Sequence, residues 1–179
     1  MNADRLVYRR RFSVVPLLIG GVVVLDQLTK WLVLTNLAPG QYIYPIPALA
    51  DLLAITHVTN TGIAFGLFKD ANTFLAIIAI VVIVGLVRYV RAMPPERWLA
   101  RLALALVLGG AIGNLIDRLR LGYVVDFVAV GAFARFNVSD SAISIGIVLL
   151  ATAFLFDGRR ASKDLTALDT APVEHVEER

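Results

Sequence analysis

The chain has 179 residues, enough for one domain of ordinary size, yet 58% of them are hydrophobic and only 17% are charged. Soluble domains contain about 45–50% apolar and about 25% charged residues, so the composition excludes a water-soluble enzyme and an intrinsically disordered chain. The net charge of +3 does not indicate nucleic-acid binding, because the basic residues stand at the ends of apolar runs, as topology signals do.

Four apolar runs predict membrane-spanning helices, at about 14–34, 71–90, 98–116 and 137–156. A spanning helix needs about 20 residues, and each run reaches that length only by including a polar residue near one end. The first run follows three arginines, as a secretory signal would, but no small-residue cleavage site comes after it. The sequence therefore predicts an integral membrane, mainly α protein with four transmembrane helices in one domain, residues 1–156.

Lysine and arginine are concentrated at the N-terminus, between the second and third runs, and at the start of the segment 157–179. Because positive charge marks the cytoplasmic side, both termini are predicted to be cytoplasmic and the connections 35–70 and 117–136 to face outward. Within 42–68 the chain is β-rich and broken by proline and glycine, which predicts short strands on the outer membrane surface. The segment 157–179 is predicted to be a polar cytoplasmic tail that is disordered.

Ionisable residues inside a span cost roughly 2.5–3.5 kcal/mol each on insertion scales, so each requires an explanation. Asp26 and Lys30 are four residues apart and can pair on one helix face, either to lock helix packing or to take part in a site. In the third run, Asn114 and Arg118 share a helix face, with Asp117 beside them. A polar packing seam between helices explains the neighbouring glycines but explains Asp117 and Arg118 less well.

Two carboxylates, Asp126 in the second outward connection and Asp140 at the start of the fourth run, belong at the same membrane boundary. Two carboxyl groups held close together share one proton, so one can activate water while the other protonates a carbonyl. The alternatives are a helix N-cap for Asp140 and a solvated loop charge for Asp126. Other chemistries lack their residues, since the chain has no cysteine and His57 is the one histidine outside the tail. No metal or cofactor is expected.

Carboxylates in a membrane bundle also occur in proton-coupled transporters, which place them near the midplane with broken helices. A structural membrane subunit would need no carboxylate pair at all. Both remain alternatives to a peptidase on the residues alone.

Five motifs occur along the chain, in the order Asp26-Gln27-Leu28-Thr29-Lys30, Asn60-Thr61-Gly62-Ile63-Ala64-Phe65, Gly110-Ala111-Ile112-Gly113-Asn114-Leu115-Ile116-Asp117-Arg118, Val125-Asp126-Phe127 and Phe136-Asn137-Val138-Ser139-Asp140-Ser141. Together and in this order they closely resemble the bacterial lipoprotein signal peptidase (signal peptidase II) family. The resemblance covers roughly positions 14–156. Ile63 and Ser139 stand where the family usually has alanine, and neither change removes a polar residue of the motifs.

The resemblance implies an aspartic endopeptidase of the bacterial cytoplasmic (inner) membrane, with its active site at the extracytoplasmic face. Its substrate would be a membrane-inserted diacylglyceryl prolipoprotein, cut just before the lipidated cysteine. The phospholipid bilayer is a further expected partner and nucleic acid is not, and the protein is expected to be a monomer. The resemblance also assigns residues: a catalytic dyad of Asp126 and Asp140, and substrate-binding or supporting roles for Asp26, Lys30, Asn60, Gly62, Asn114, Asp117, Arg118 and Asn137. It further implies a small extracytoplasmic sheet formed by 42–68, with strands added from 131–137.

Overall fold

The computed structural model describes residues 3–62, 71–132 and 134–169, with side chains in 14–62, 72–132 and 134–156. The helices of this part are α1 (Ala3–Asn36), α2 (Ala71–Ala92), α3 (Trp98–Arg120) and α4 (Val138–Asp169). The strands are β1 (Tyr42–Ile43), β2 (Leu53–Asn60), β3 (Val124–Val130) and β4 (Ala134–Phe136), with a short 3-10 helix at Pro47–Leu49. The protein is thus mainly helical, with a small sheet.

Each of the four helices contains a segment long and apolar enough to cross a membrane. The segments are Val14–Asn36, Asn72–Ala92, Trp98–Arg120 and Val138–Phe156. The four predicted spans are therefore confirmed. Large apolar side chains point outward from them, including Leu17 at 73%, Val81 at 66% and Leu155 at 69% exposure. In water this surface would be strongly unfavourable, whereas in a bilayer it contacts lipid chains.

Helix α3 lies at the centre of the bundle. Of its spanning segment 56% is buried, against 11–22% for the other three, because α1, α2 and α4 all pack against it. Leu104 and Leu108 of α3 form the apolar core with Val15, Val90 and Ala153 of the surrounding helices. The position of α3 therefore determines where the other helices lie.

Glycines in α3 allow α4 and α1 to approach its backbone. A methyl group at Gly110 would collide with the carbonyl oxygen of Ser139, and one at Gly113 with the Ser139 hydroxyl and the Asp26 carboxylate. Small residues at helix crossings are the usual means of close packing in membranes. Here they bring Asp26 of α1 and the first turn of α4 together across α3.

The four strands form one antiparallel sheet in the order β1-β2-β3-β4. The β2–β3 register passes from Ile55 opposite Val128 to Val58 opposite Asp126. Two residues of β2, Thr56 and His57, thus oppose one residue of β3, which is a β-bulge. Both bulged residues are buried. The Nδ1 of His57 is 2.9 Å from the carbonyl oxygen of Leu37, at the end of α1.

Two expectations from the sequence need correction. Asp126 was expected in a loop but lies on β3, because the apolar stretch around it pairs with β2, a strand distant in sequence. The segment 157–179 was expected to be disordered, but α4 continues through Asp169. Its alanine, leucine, lysine and arginine residues are good helix formers, and they extend a helix that is already nucleated. Residues 170–179 and 63–70, with part of the expected β-rich region and Ile63, lie outside the described residues.

The close approach at Gly110 gives a test of the helix packing. Gly110→Ala should destabilise the protein by about 1–3 kcal/mol, because the added methyl group overpacks the α3–α4 contact. Thermal unfolding in detergent, followed by tryptophan fluorescence, measures the effect.

Gly85→Ala on α2 is the matched control, since no heavy atom lies within 4 Å of its added methyl group. This variant should be neutral or slightly more stable, as alanine favours helix. Equal melting temperatures for the two variants would contradict the α3–α4 contact.

Candidate active site

Helix α4 begins with a reciprocal pair of hydrogen bonds between Asn137 and Asp140. The backbone N–H of Asp140 donates to Asn137 Oδ1 at 2.9 Å, and the backbone N–H of Asn137 donates to Asp140 Oδ2 at 3.3 Å. This arrangement is a capping box, in which Asn137 is the N-cap and Asp140 the third helical residue. The interpretation of Asp140 as the N-cap is therefore wrong, and its Oδ1 remains available to the site.

Asp126 is 2% exposed and is held from two sides by amide groups. Asn137 Nδ2 donates to Asp126 Oδ1 at 2.8 Å, and Asn60 Nδ2 donates to Oδ2 at 2.9 Å. Because the backbone N–H of Asn137 donates to the carboxyl group of Asp140, one residue joins the two carboxyl groups, with its side chain on Asp126 and its backbone on Asp140. Strand β3 and the start of α4 thus bring Asp126 and Asp140 into one site.

Asn114 of α3 completes the set of donors. Its Nδ2 donates to Asp140 Oδ1 at 2.8 Å, so each of the four carboxyl oxygens of Asp126 and Asp140 accepts a hydrogen bond from an asparagine. These bonds fix the orientation of both carboxyl groups. They also use neutral donors, which do not force both groups to ionise as a directly bonded cation would.

Gly62 orients Asn60. Its N–H donates to Asn60 Oδ1 at 2.8 Å, which leaves the Nδ2 of Asn60 directed at Asp126. The φ of Gly62 is +75°, a conformation that costs a residue with a Cβ about 1–2 kcal/mol. An added methyl group would also collide with Leu75 of α2. Both facts account for glycine in the Asn60-Thr61-Gly62 turn.

Beneath these carboxyl groups Lys30 lies in a buried ionic network. Its Nζ is 2.8 Å from Asp26 Oδ2 and 2.9 Å from Asp117 Oδ2. It also donates to Asn114 Oδ1 at 3.0 Å. Lys30 is 2% and Asp26 0% exposed. The Asp26–Lys30 pair therefore joins α1 to α3, and Asn114 connects it to the two carboxyl groups of the site.

The same network is tied to backbone groups of two further elements. The N–H of Ser139 in α4 donates to Asp26 Oδ1 at 2.8 Å, and the N–H of Val125 in β3 donates to Asp117 Oδ2 at 3.1 Å. Ser139 and Val125 directly precede Asp140 and Asp126. The network thus fixes the backbone at the residue that precedes each aspartate of the site.

Arg118 is half-buried at the end of α3 and donates to the carbonyl oxygen of Asn114 at 3.3 Å. Its charge interacts with those of Asp140, Asp117 and Asp126. In the part of the chain that the structure describes, its hydrogen bond goes to this carbonyl oxygen and not to either carboxyl group of the site, so Arg118 acts on the two aspartates through its charge.

Two residues of the site were not among the sequence candidates. Gln27 Nε2 donates to Asp117 Oδ1 at 2.9 Å, and fully buried Ser139 supplies the N–H to Asp26 described above. Helical spacing gave no reason to select Gln27, since it adjoins Asp26 rather than sharing its face. A backbone donor such as Ser139 leaves no signal in side-chain chemistry. Both residues do lie inside the quoted motifs.

Burial raises the pKa of Asp126 above its ordinary value. The hydrogen bond from Asn60 opposes this shift, the negative charge of Asp140 adds to it, and the hydrogen bond from Asn137 again opposes it. The net direction is upward, so the pair of carboxyl groups retains a proton at higher pH than two isolated aspartates would. Within the described ranges, no group of three or more histidine, cysteine or acidic side chains is placed to hold a metal ion.

The chain is similar to a family of known proteins over most of its length. The profile of the family described as Signal peptidase (SPase) II matches residues 18–156. The chain belongs to the signal peptidase II family. It is 44% identical over 130 residues to a lipoprotein signal peptidase of Moorella thermoacetica, covering 72% of this chain and 84% of that protein. It is 45% identical over 139 residues to one of Caldanaerobacter subterraneus subsp. tengcongensis, covering 76% and 92%.

Two solved structures described as bacterial membrane enzymes are also similar, each with a TM-score of 0.73 and 34% identity. The alignment with one structure covers 82% of this chain and 90% of that structure, and the alignment with the other covers 80% of this chain and 93% of that structure. As a signal peptidase II, the protein is a hydrolase of an aspartic peptidase family that processes prolipoprotein signal peptides. With its four apolar helices it is a multi-pass bacterial membrane protein.

The buried network predicts a large loss of stability on removal of its cation. Lys30→Met leaves Asp26 and Asp117 buried without a counter-ion, and breaking a buried pair in this way costs about 3–5 kcal/mol. Thermal unfolding in detergent measures the loss.

Arg88→Met is the matched control, because Arg88 is exposed on α2 and surface changes stay within about 0.5 kcal/mol. If the two variants melted at the same temperature, the network would not be an important source of stability.

Proposed function

We propose that the protein removes the signal peptide from diacylglyceryl-modified prolipoproteins by cleaving just before the lipidated cysteine, with Asp126 and Asp140 as its catalytic dyad. The observation that carries this proposal is the shared Asn137, which donates a hydrogen bond to a carboxyl oxygen of each aspartate. Membership in signal peptidase II supports the substrate class.

In the proposed reaction one carboxylate takes a proton from water while the other, protonated carboxyl group donates its proton to the scissile carbonyl oxygen. The hydroxyl oxygen bonds to the carbonyl carbon and gives a tetrahedral gem-diol. The first group then gives its proton to the amide nitrogen, the C–N bond breaks, and the second group regains a proton from the diol. No covalent enzyme intermediate is required.

The composition of the site supports a retained proton. Asp126, Asp140, Asp26 and Asp117 face two nearby cations, Lys30 and Arg118. With every acid ionised the cluster would carry an excess of two negative charges in a largely buried place. Retention of one proton on the Asp126–Asp140 pair reduces that excess.

The depth of the dyad matches that of the proposed substrate. Asp140 lies in the first turn of the spanning segment of α4, and Asn114 lies near the end of α3. The pair therefore sits at a bilayer boundary, where the lipidated cysteine of a membrane-inserted prolipoprotein would lie. We assign this boundary to the outer face of the cytoplasmic membrane, with both termini in the cytoplasm, and the enzyme to a monomer.

The remaining site residues take supporting roles in this proposal. Asn60, Asn114 and Asn137 hold the dyad, and Gly62 holds Asn60. Arg118 is available for the substrate backbone. Asp26, Lys30 and Asp117 form the rigid base of the site.

The dyad is tested with a purified diacylglyceryl prolipoprotein. Asp126→Asn and Asp140→Asn should each fold in detergent but release no signal peptide, because neither can complete the proton transfers. Gel-shift or mass-spectrometric detection of the released peptide gives the rate.

Asp51→Asn is the control, since Asp51 is exposed in the turn before β2 and its loss should leave the rate unchanged. Normal release by either dyad variant would eliminate the dyad assignment. Altered assembly with a normal rate would indicate a structural role for the pair.

The raised pKa of Asp126 gives a pH prediction. Activity requires one proton on the pair, so the rate should fall as pH rises through the upper apparent pKa of the pair. Asn60→Ala removes a hydrogen bond that favours the charged carboxylate. This raises that pKa further and moves the alkaline limb of the pH–rate profile to higher pH.

Asn36→Ala is the control, because Asn36 is exposed and bonds within α1. Its profile should match that of the wild type. An unchanged or acid-shifted limb in Asn60→Ala would argue against Asp126 as part of the titrating pair.

A further inference from the structure

We propose that a groove between α1 and α2, at the end of the bundle opposite the dyad, binds one anionic phospholipid. Helices α1 and α2 both pack against α3, but they have little contact with each other. The space between them is a cavity of about 340 Å³ with α3 as its floor. This gap is part of the membrane-facing surface, where the surrounding solvent is lipid.

The walls of the groove are mostly apolar. They include Pro16 and Ile19 of α1, Val87 of α2 and Leu108 of α3. An apolar groove in a spanning segment does not hold water favourably. Its shape and chemistry instead fit part of an acyl chain lying along α3.

Two arginines give the groove its second property, a positive charge. Arg91, in the last turn of α2, and Arg101, in the first turn of α3, both line it. Arg101 is 5% exposed, and its NH1 donates to the carbonyl oxygen of Met93 at 3.2 Å, which fixes the guanidinium. From Arg88 to Arg101 the chain carries four arginines and one acid, Glu96, so the local charge is clearly positive.

A phosphodiester head group complements these residues. Guanidinium groups bind phosphate oxygens through paired N–H donors, and basic pockets between membrane helices bind anionic head groups. A zwitterionic lipid offers the same chain but no net charge. The combination of a chain groove and two arginines therefore selects an anionic phospholipid.

The groove is separate from the proposed dyad. It is lined by the beginning of the spanning segment of α1, the end of α2 and the first half of α3, whereas the dyad is held by the end of α3 and the beginning of α4. Lipid binding can thus be measured without substrate, and its outcome is independent of the reaction mechanism.

Native mass spectrometry of the delipidated full-length protein tests the site. Phosphatidylglycerol and phosphatidylcholine with identical chains are added separately, and the bound lipid is counted. We expect one tightly retained phosphatidylglycerol, bound about twenty-five-fold more tightly than phosphatidylcholine, since each of the two arginines contributes a factor of about five. Equal binding of the two lipids, or displacement of phosphatidylglycerol by inorganic phosphate alone, would overturn the proposal.

Matched variants locate the site. Arg91→Gln should weaken phosphatidylglycerol binding about fivefold, whereas Arg88→Gln removes the same charge from an exposed position that does not line the groove and should have little effect. Equal losses would indicate diffuse surface charge and refute a defined site.

The chain-binding part is tested by filling the groove. Ile19→Trp should prevent retention, whereas Leu17→Trp, on the same helix but 73% exposed and outside the groove, should not. Val87→Phe fills the groove from α2 and replaces Ile19→Trp if that variant does not fold. Full retention in a folded groove-filling variant would contradict binding there.

Discussion

The burial of one cation, Lys30, is the constraint on which the rest of the site depends. Contacts between apolar helices in lipid have little directional preference, so packing alone specifies their rotation poorly. An ammonium group inside the bundle must be paired and fully hydrogen-bonded. The carboxylate partners of Lys30 are Asp26 of α1 and Asp117 of α3. These two carboxylates in turn accept hydrogen bonds from backbone N–H groups of α4 and β3. One charge thus fixes the relative positions of four elements, and the two aspartates of the proposed dyad follow directly after the anchored residues.

The cation that makes the site rigid, Lys30, does not bond to the two carboxyl groups of the proposed dyad, which accept hydrogen bonds from asparagine residues instead. Among the described residues, Lys30 reaches Asp140 through the amide of Asn114, and Asp126 is held by the amides of Asn60 and Asn137. Had the ammonium bonded directly to either aspartate, it would have favoured full ionisation of the pair. Neutral donors orient both groups and leave the shared proton in place, as acid–base chemistry at two carboxyl groups requires.

Hydropathy and motifs predicted the four spans and most of the site, because length and apolar composition are local properties of a helix and the motifs carry its polar residues. They missed β3, since Val125-Asp126-Phe127 becomes a strand only by pairing with β2, which lies far away in the sequence. They also missed the helical continuation of α4 after residue 156. The polar residues there indicate that the chain leaves the membrane, but they do not indicate that the helix ends. The role of Ser139 depends on its backbone N–H, which no side-chain pattern can indicate.

The β-bulge at Thr56 and His57 determines which side of the sheet Asn60 faces. Residues that oppose each other in an antiparallel pair point to the same side of the sheet, and successive residues alternate. If both bulged residues paired in regular register after Ile55 and Val128, Thr59 rather than Asn60 would lie opposite Val124, beside Asp126. The amide that holds Asp126 would then point to the other side. The bulge therefore lets one strand pair Ile55 with Val128 and still turn the amide of Asn60 to the same side of the sheet as Asp126.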